Sequence, residues 1–472
     1  MYAERTRVWY NILYTKYIWE IVYRCSSILY KNMKKERKAS MKETKQRAKA
    51  LIKYINKAVT PYHAVAEGAA MLKEAGFEEL SLTERFYIKQ SKKYFMTLYG
   101  TALFAFTVGE DVHEAQSFHI AAAHTDYPCL HIKPQPELVT SGYMKLNVEV
   151  YGGAILNTWL DRPLSVAGRV ALKSDDIYRP KTRLVDFKRP ILTIPNLAVH
   201  MNREVNKGVE LKPQGDMLPL LGMLSDKWNK DNYFLTMLAK ELKVAPEDIL
   251  DFDLFVYCAE EGSLVGYEED MISCPRLDNL TSCHALLEAL IAGGRPNGIN
   301  LIALYDHEEI GSRTKQGADS ALLRMVLERI YAALDMDTVN LDEAIMRSFL
   351  FSVDVAHALH PNHTDKYDPV HQVRFNEGVV FKINSSQRYT FDTEAIAIAQ
   401  GICEKAEVKY KKFVNHSNVA GGGTLGPIIS SWLPMKTVDI GVPIMAMHSA
   451  RELMGVDDQT HLAKMMMTFF TE

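Results

Sequence analysis

After Cys274 the chain alternates short apolar runs with longer amphipathic ones, and this alternation restricts the fold more than any other feature. Residues 299–305, 349–354 and 438–442 read as buried strands, and 282–292, 318–334, 393–406 and 457–470 read as helices. Strand–helix–strand succession of this kind requires an α/β domain with a mostly parallel central sheet flanked by helices. The same domain starts earlier in the chain. Residues 43–55 and 62–75 read as helical, the second closed by Gly76, and 94–99, 102–108 and 117–123 read as strands. In between, the texture changes to strand-like runs at 146–151, 165–172, 184–187 and 252–257, broken by Gly and Pro, with one helical stretch at 233–242. The expected organisation is one α/β domain in two parts, 41–137 and 274–472, with a mostly β domain inserted at 138–273.

Open α/β sheets bind ligands beyond the carboxyl ends of their strands. Here those ends carry metal-capable side chains. The 117–123 run delivers His124 with Asp126 close behind, 299–305 delivers Glu308 and Glu309, 349–353 delivers Asp354, and 438–442 leads to His448. Asp278 stands just before an expected helix. Histidines and carboxylates without cysteine suit zinc and also admit manganese or cobalt. Five ligands exceed what one tetrahedral zinc with an open position needs. They match two metals sharing a carboxylate, a pair that can polarise a carbonyl and activate a water. Asp126 is spaced to accept a hydrogen bond from the free ring nitrogen of His124. Of the adjacent Glu308 and Glu309, one can bind metal while the other serves as general base. Each residue alone has a plainer reading. A histidine after a strand is commonly structural, paired glutamates commonly face solvent, and Asp278 is a good helix N-cap. Their joint placement at strand ends of one domain is what points to a site.

Composition narrows the setting. Six scattered cysteines form no C-x-x-C pair, which argues for a reducing, cytoplasmic compartment and against a cysteine-built zinc site. A net charge of −3 gives no reason to expect nucleic acid. Residues 1–40 stand apart, with nine Lys/Arg against three Glu, a balance of +6 that leaves −9 for residues 41–472. Lys16, Glu20 and Arg24 interrupt the apolar run there, so no uninterrupted stretch spans a bilayer, and there is no small-residue cleavage site of the secretory kind. This segment reads first as an extension upstream of a start at Met41, then as an amphipathic arm on the body, and last as a membrane-surface anchor; no membrane association is expected of the rest.

Six stretches carry a resemblance. They are Ala123-His124-Thr125-Asp126-Tyr127-Pro128-Cys129-Leu130, the Ile194-Pro195-Asn196 run ending in His200, Leu277-Asp278-Asn279, Asp306-His307-Glu308-Glu309-Ile310-Gly311-Ser312, the run from Asp354 to Asn362, and Ala446-Met447-His448-Ser449-Ala450-Arg451-Glu452. Through them the chain, from about Lys42 to its C-terminus, resembles the aspartyl aminopeptidase family of tetrahedral dinuclear zinc peptidases. The run Gly421-Gly422-Gly423 is closer to bacterial members.

The resemblance implies removal of N-terminal residues from peptides, with Asp and Glu preferred and neutral residues admitted. It implies two zinc ions per subunit, with Asp278 bridging, His124 and Asp354 completing one site, and Glu309 and His448 the other. Glu308 would be the general base, grouped with Asp126 as catalytic. His357, Lys382 and Tyr389 would touch substrate, the Lys382 ammonium favouring an acidic side chain by charge-assisted hydrogen bonding. His200 would reach from the insertion into a neighbouring subunit's site, near the metals. The insertion would pair subunits, and the pairs would build a tetrahedral homo-dodecamer.

Two other functions share these residues. A dinuclear amidase or deacylase would act on non-peptide amides, and a non-catalytic assembly protein would keep the fold but lose ligands or base, none of which is missing here. No H-E-x-x-H occurs, and Gly421-Gly422-Gly423 lacks a following G-K-[ST]. His360, His363 and His371 read as cleft or rim residues rather than a further metal site.

Overall fold

The computed structural model describes residues 41–112, 117–223 and 232–472, so the basic segment 1–40 lies outside the described residues. The chain divides into two compact units, 1–49 and 50–472. In the first, residues 41–49 are helical, with Arg47 and Glu43 paired at 3.8 Å one turn apart. The second contains three sheets.

The largest sheet has nine strands: β1 (Glu78–Glu79), β2 (Lys93–Leu98), β3 (Ala102–Val108), β4 (Phe118–His124), β5 (Ile299–Tyr305), β6 (Phe349–Val353), β7 (Val379–Ile383), β8 (Tyr410–Val414) and β9 (Lys436–Gly441). Their spatial order is β1-β2-β3-β5-β4-β6-β9-β7-β8. The middle four, β5-β4-β6-β9, are parallel, as are the pairs β1-β2 and β7-β8. Antiparallel junctions occur where β3 meets β2 and β5 and where β7 meets β9. The sheet is therefore mostly parallel, as the alternation requires. β3 and β5 are buried along their whole length, the expected state of strands covered on both faces.

Helices supply the cover: α1 (Pro61–Glu74), α2 (Leu277–Ala292), α3 (Leu322–Ala333), α4 (Thr338–Arg347), α5 (Thr393–Lys405), α6 (Leu425–Trp432) and α7 (Val456–Phe469). One face packs α3, α4 and α6 through Leu323, Leu327, Ile330, Leu341, Ile345 and Ile429 against Phe104, Phe106, Phe118, Ile120, Leu301 and Leu350. The other face packs α1, α2, α5 and α7. Helix starts follow from local chemistry. Thr60 accepts the His63 N–H before Pro61, and Asp392 accepts the Ala395 N–H at 2.8 Å.

The second sheet is wholly antiparallel, in the order Lys181–Asp186, Leu164–Leu172, Ile249–Cys258, Cys129–Thr140, Tyr143–Tyr151, Leu220–Met223. The helix Tyr233–Leu242 closes its core with Phe234 and Leu238. The strand Cys129–Thr140 escapes a sequence reading because its register breaks between Ile132 and Glu137, where Pro134 and Pro136 sit. A third sheet joins Ser263–Val265, Met271–Cys274, Glu452–Gly455, Pro443–Met445 and Ala356–His357. No helix among the described residues is long and apolar enough to cross a membrane.

Candidate metal centre

Because β5, β4, β6 and β9 are parallel, their carboxyl ends share one edge. Register pairs Tyr305 with His124, the last residue of β4. Glu308 and Glu309 occupy a tight turn just past β5, entered through His307 (φ 63) and left through Gly311 (φ 95). Asp354 follows β6, its N–H bonded to the Ile440 carbonyl at 2.9 Å. That approach needs glycine on β9, since a Cβ on Gly441 would lie 1.5 Å from the Asp354 carbonyl oxygen. Asp278 sits at the non-helical start of α2 (φ −77, ψ 110). His448, with φ 67, sits between the strands Pro443–Met445 and Glu452–Gly455.

These side chains converge. His124 Nε2 lies 3.4 Å from Asp278 Oδ1 and 3.6 Å from Asp354 Oδ1. His448 Nε2 lies 3.5 Å from Asp278 Oδ2 and 3.4 Å from Glu309 Oε2. Two trios result, His124/Asp278/Asp354 and Asp278/Glu309/His448, the atoms of each within 4.8 Å of one another, and Asp278 gives a different oxygen to each histidine. A third grouping, His124/Glu308/Glu309, shares the same centre, with Glu308 Oε2 4.0 Å from His124 Nε2. His360, His363 and His371 join no such cluster among the described residues.

Charge is crowded here. Burial pushes Glu308 up to about 8, reinforced by Asp354, Asp126 and Asp278 and opposed by His124. Burial and then Asp278 push Glu309 well up. Burial would raise Asp354 too, but Lys382 and His124 hold it well below the usual carboxylate range. Burial would lower His124, but Asp126, Asp278 and Asp354 outweigh it and raise it. Metal binding at such a site displaces these protons, since ligands must be deprotonated.

Four residues organise these side chains: Asp126, which the sequence marks, and Tyr151, Gly153 and Glu452, to which it gives no role. Asp126 lies beyond the end of β4 rather than on it. Its carboxylate oxygens accept the backbone N–H groups of Glu308 (3.2 Å) and Glu309 (3.1 Å) and the Tyr151 hydroxyl (2.7 Å). His124 Nδ1 is 3.1 Å from the Asp126 carbonyl and 3.3 Å from its Oδ1. An Nδ1–H donated there leaves Nε2 free for metal. His448 Nδ1 makes the equivalent contact with the Gly153 carbonyl at 3.1 Å, where a Cβ on Gly153 would crowd the ring at 3.2 Å. Glu452 accepts N–H groups from both Asp278 and His448. Glu452 lay inside a recognised stretch; for Tyr151 and Gly153 the sequence offered no signal.

Beside these ligands a cleft of about 480 Å³ is lined by Glu308, His357, Lys382, Tyr389, Gly422 and Gly423, among others. Lys382 on β7 is 3% exposed; its Nζ pairs with Asp354 Oδ2 at 3.2 Å, donates to the Val355 carbonyl at 2.7 Å and lies 5.3 Å from the Tyr389 ring centre. His200 is exposed and does not line the cleft of its own chain.

The residues fit divalent cations on structural grounds. Asp278 Oδ1 and Glu309 Oε1 are buried and have no hydrogen-bond partner. An unanswered buried acceptor costs about 1–3 kcal/mol, more if charged, and a cation is the group that answers two facing carboxylates.

A family model described as Aminopeptidase I zinc metalloprotease (M18) matches residues 54–470. The chain belongs to the M18 aminopeptidase family. It is a metalloaminopeptidase of a zinc-dependent family. A Clostridium novyi relative named Probable M18 family aminopeptidase 2 is 47% identical over 432 residues, covering 91% of this chain and all of the relative. One of the same name from Stutzerimonas stutzeri is 40% identical, covering 89% of this chain and 97% of its own. Among solved structures, a chain of the Ape4 and Nbr1 complex superposes with TM-score 0.87 at 33% identity, over 91% of this chain and 86% of that one. The S. cerevisiae mApe1 dodecamer gives TM-score 0.78 at 27% identity, over 90% and 96%. The M18 fold thus carries the mixed α/β architecture described above.

Proposed function

We propose that this M18 aminopeptidase uses two metal ions on either side of Asp278, with Glu308 as general base, and prefers acidic N-terminal residues. The observation that carries the reading is that Asp278 belongs to both ligand trios, one oxygen directed to each. His124 and Asp354 would hold one ion, Glu309 and His448 the other. Bound zinc supplies a Lewis acid for the scissile carbonyl and makes water a nucleophile near neutral pH. Glu308, at the cleft wall beside His124, takes the proton of the attacking water and returns it to the leaving amine. Asp126 holds the Glu308–Glu309 turn and orients His124. Manganese or cobalt would suit the same oxygen and nitrogen donors.

Substrate preference rests on the cleft. Lys382 is its buried cation, kept charged by Asp354 and Asp439 against burial, and a charged acceptor on the substrate gains most there. His357 and Tyr389 flank it. For assembly, we read 138–273 as the dimerisation insertion. His200 stands among the exposed Leu197, Val199 and Met201, a surface suited to a second copy of the chain. A dodecamer, the assembly of the mApe1 structure, here of tetrahedral form, would bring His200 to a neighbour's metals. Among the described residues five cysteines are buried and free, in keeping with a cytosolic setting.

The test is Glu308→Gln. Metal analysis should find both ions retained while hydrolysis of aminoacyl anilides falls by about 10²–10⁴-fold. Full activity would overturn the base assignment.

A further inference from the structure

Glu452 is 3% exposed and carries no reacting atom, yet it is bonded to both halves of the centre. Its Oε2 accepts the Asp278 N–H at 3.0 Å and its Oε1 accepts the His448 N–H at 2.8 Å. The small third sheet explains the meeting. The strand Met271–Cys274 runs toward Asp278 and pairs antiparallel with Glu452–Gly455, in a register that sets Cys274 opposite Glu452. His448 lies four residues before Glu452 on the incoming turn. Both ligand segments are bent: Arg276 has φ 60 and His448 has φ 67. Non-glycine residues keep such backbones only where their surroundings over-determine them.

We propose that Glu452 is the positioning residue of the metal centre, one carboxylate that fixes the spacing between the Asp278 and His448 backbones and so sets the affinity of the ion held by Glu309 and His448. This rests on the two-metal reading above. One more carboxylate beside Asp278, Glu309, Asp354, Glu308 and Asp126 adds unwelcome negative charge, so charge balance does not explain it. Its shape does: two oxygens for two N–H groups. A glutamine offers only one oxygen, and its amide N–H₂ faces the second N–H as donor to donor. Asp354 and His124 take no bond from Glu452, so their half depends on it only through Asp278.

The experiment is a cobalt and zinc titration of the full chain and of Glu452→Gln and Glu452→Ala, read by metal content and cobalt visible absorption, with the thermal midpoint of each metal-free protein. The parent chain should bind two ions; fewer would overturn the two-metal reading whatever the variants do. With two bound, Glu452→Ala should weaken one ion by about 10–100-fold, the usual scale for a residue that orients metal ligands, and Glu452→Gln by less. The other ion should bind nearly as before, with its cobalt spectrum unchanged. Unchanged affinity for both ions would overturn the proposal, and so would equal weakening of both with a lowered metal-free midpoint, which is the mark of a merely structural role. Should Glu452→Ala fail to fold, Glu452→Gln alone decides between these results.

Discussion

His124 and Asp354 stand at the ends of adjacent parallel strands of the central sheet, whereas Glu309 and His448 stand on turns. The first pair inherits its geometry from β4 and β6, whose hydrogen bonds and buried side chains exist whatever the site requires. The second depends on local devices: the Asp126 carboxylate under the Glu308–Glu309 turn, the Gly153 carbonyl against His448, and the Glu452 carboxylate behind it. Exposure follows the same division, with 1% of the His124 side chain open to solvent and 31% of His448. A site can thus be half scaffold and half loop, and the two halves should fail differently.

The most severe way to break this comparison is to remove the residue both halves share. Asp278→Asn should empty both metal positions and reduce hydrolysis to background, beyond the loss expected for Glu308→Gln; metal analysis and an anilide assay check it. His448→Gln should then release one ion and keep the other. Loss of both ions from that variant would show that the halves are not separable.

Lys382→Ala sharpens the comparison on the scaffold side, because Lys382 faces the cleft and also holds Asp354. A hydrogen bond to a charged group is worth about 1.5–3 kcal/mol, so kcat/KM for Asp and Glu anilides should fall by roughly tenfold or more, and by less for neutral ones. An equal fall for both, with weaker metal binding, would assign Lys382 to Asp354 alone. Tyr151→Phe removes one donor to Asp126 and should reduce activity several-fold with both metals retained, since two backbone N–H groups still hold that carboxylate.

The smallest effect lies at the far end of β4. Burial and the Arg295 charge lower His119 to about 4 against a weak opposing pull from the Phe469 carbonyl, and its ring stacks on Phe469 at 4.5 Å. A histidine lowered in the folded state stabilises above its unfolded pKa of about 6.5, and that contribution is lost as pH falls through 4. Urea midpoints at pH 7 and pH 4.5 should differ less in His119→Gln than in the parent chain. An unchanged difference would remove His119 from the account of acid stability.

Legibility in the sequence follows the same division. The scaffold was readable because β4, β5 and β6 are mostly apolar runs, broken only by His119, Asn300 and Ser352, that lead to the candidate ligands. The helix Tyr233–Leu242 and strand Ala102–Val108 fall where their periodicity places them. β7 and β8 were not readable. Lys382 interrupts one, and Lys411 and Lys412 sit on the other at the sheet edge. α6 was hidden by Gly426 and Pro427, which a helix tolerates in its first turn. The antiparallel junctions leave no trace in apolar patterning. Glu452, Tyr151 and Gly153 act through backbone groups or a distant carboxylate. Asp278 lies 174 residues from Glu452 and His448 lies 295 from Gly153, and no spacing rule links them.

Glu452 follows Asp278 by 174 residues. A nascent chain that has left the ribosome as far as Asp354 already owns the strands bearing His124 and Asp354, but neither His448 nor the clamp that sets it. On the two-metal reading, synthesis is then its own safety catch: the centre stays incomplete until the chain through Glu452 has been made.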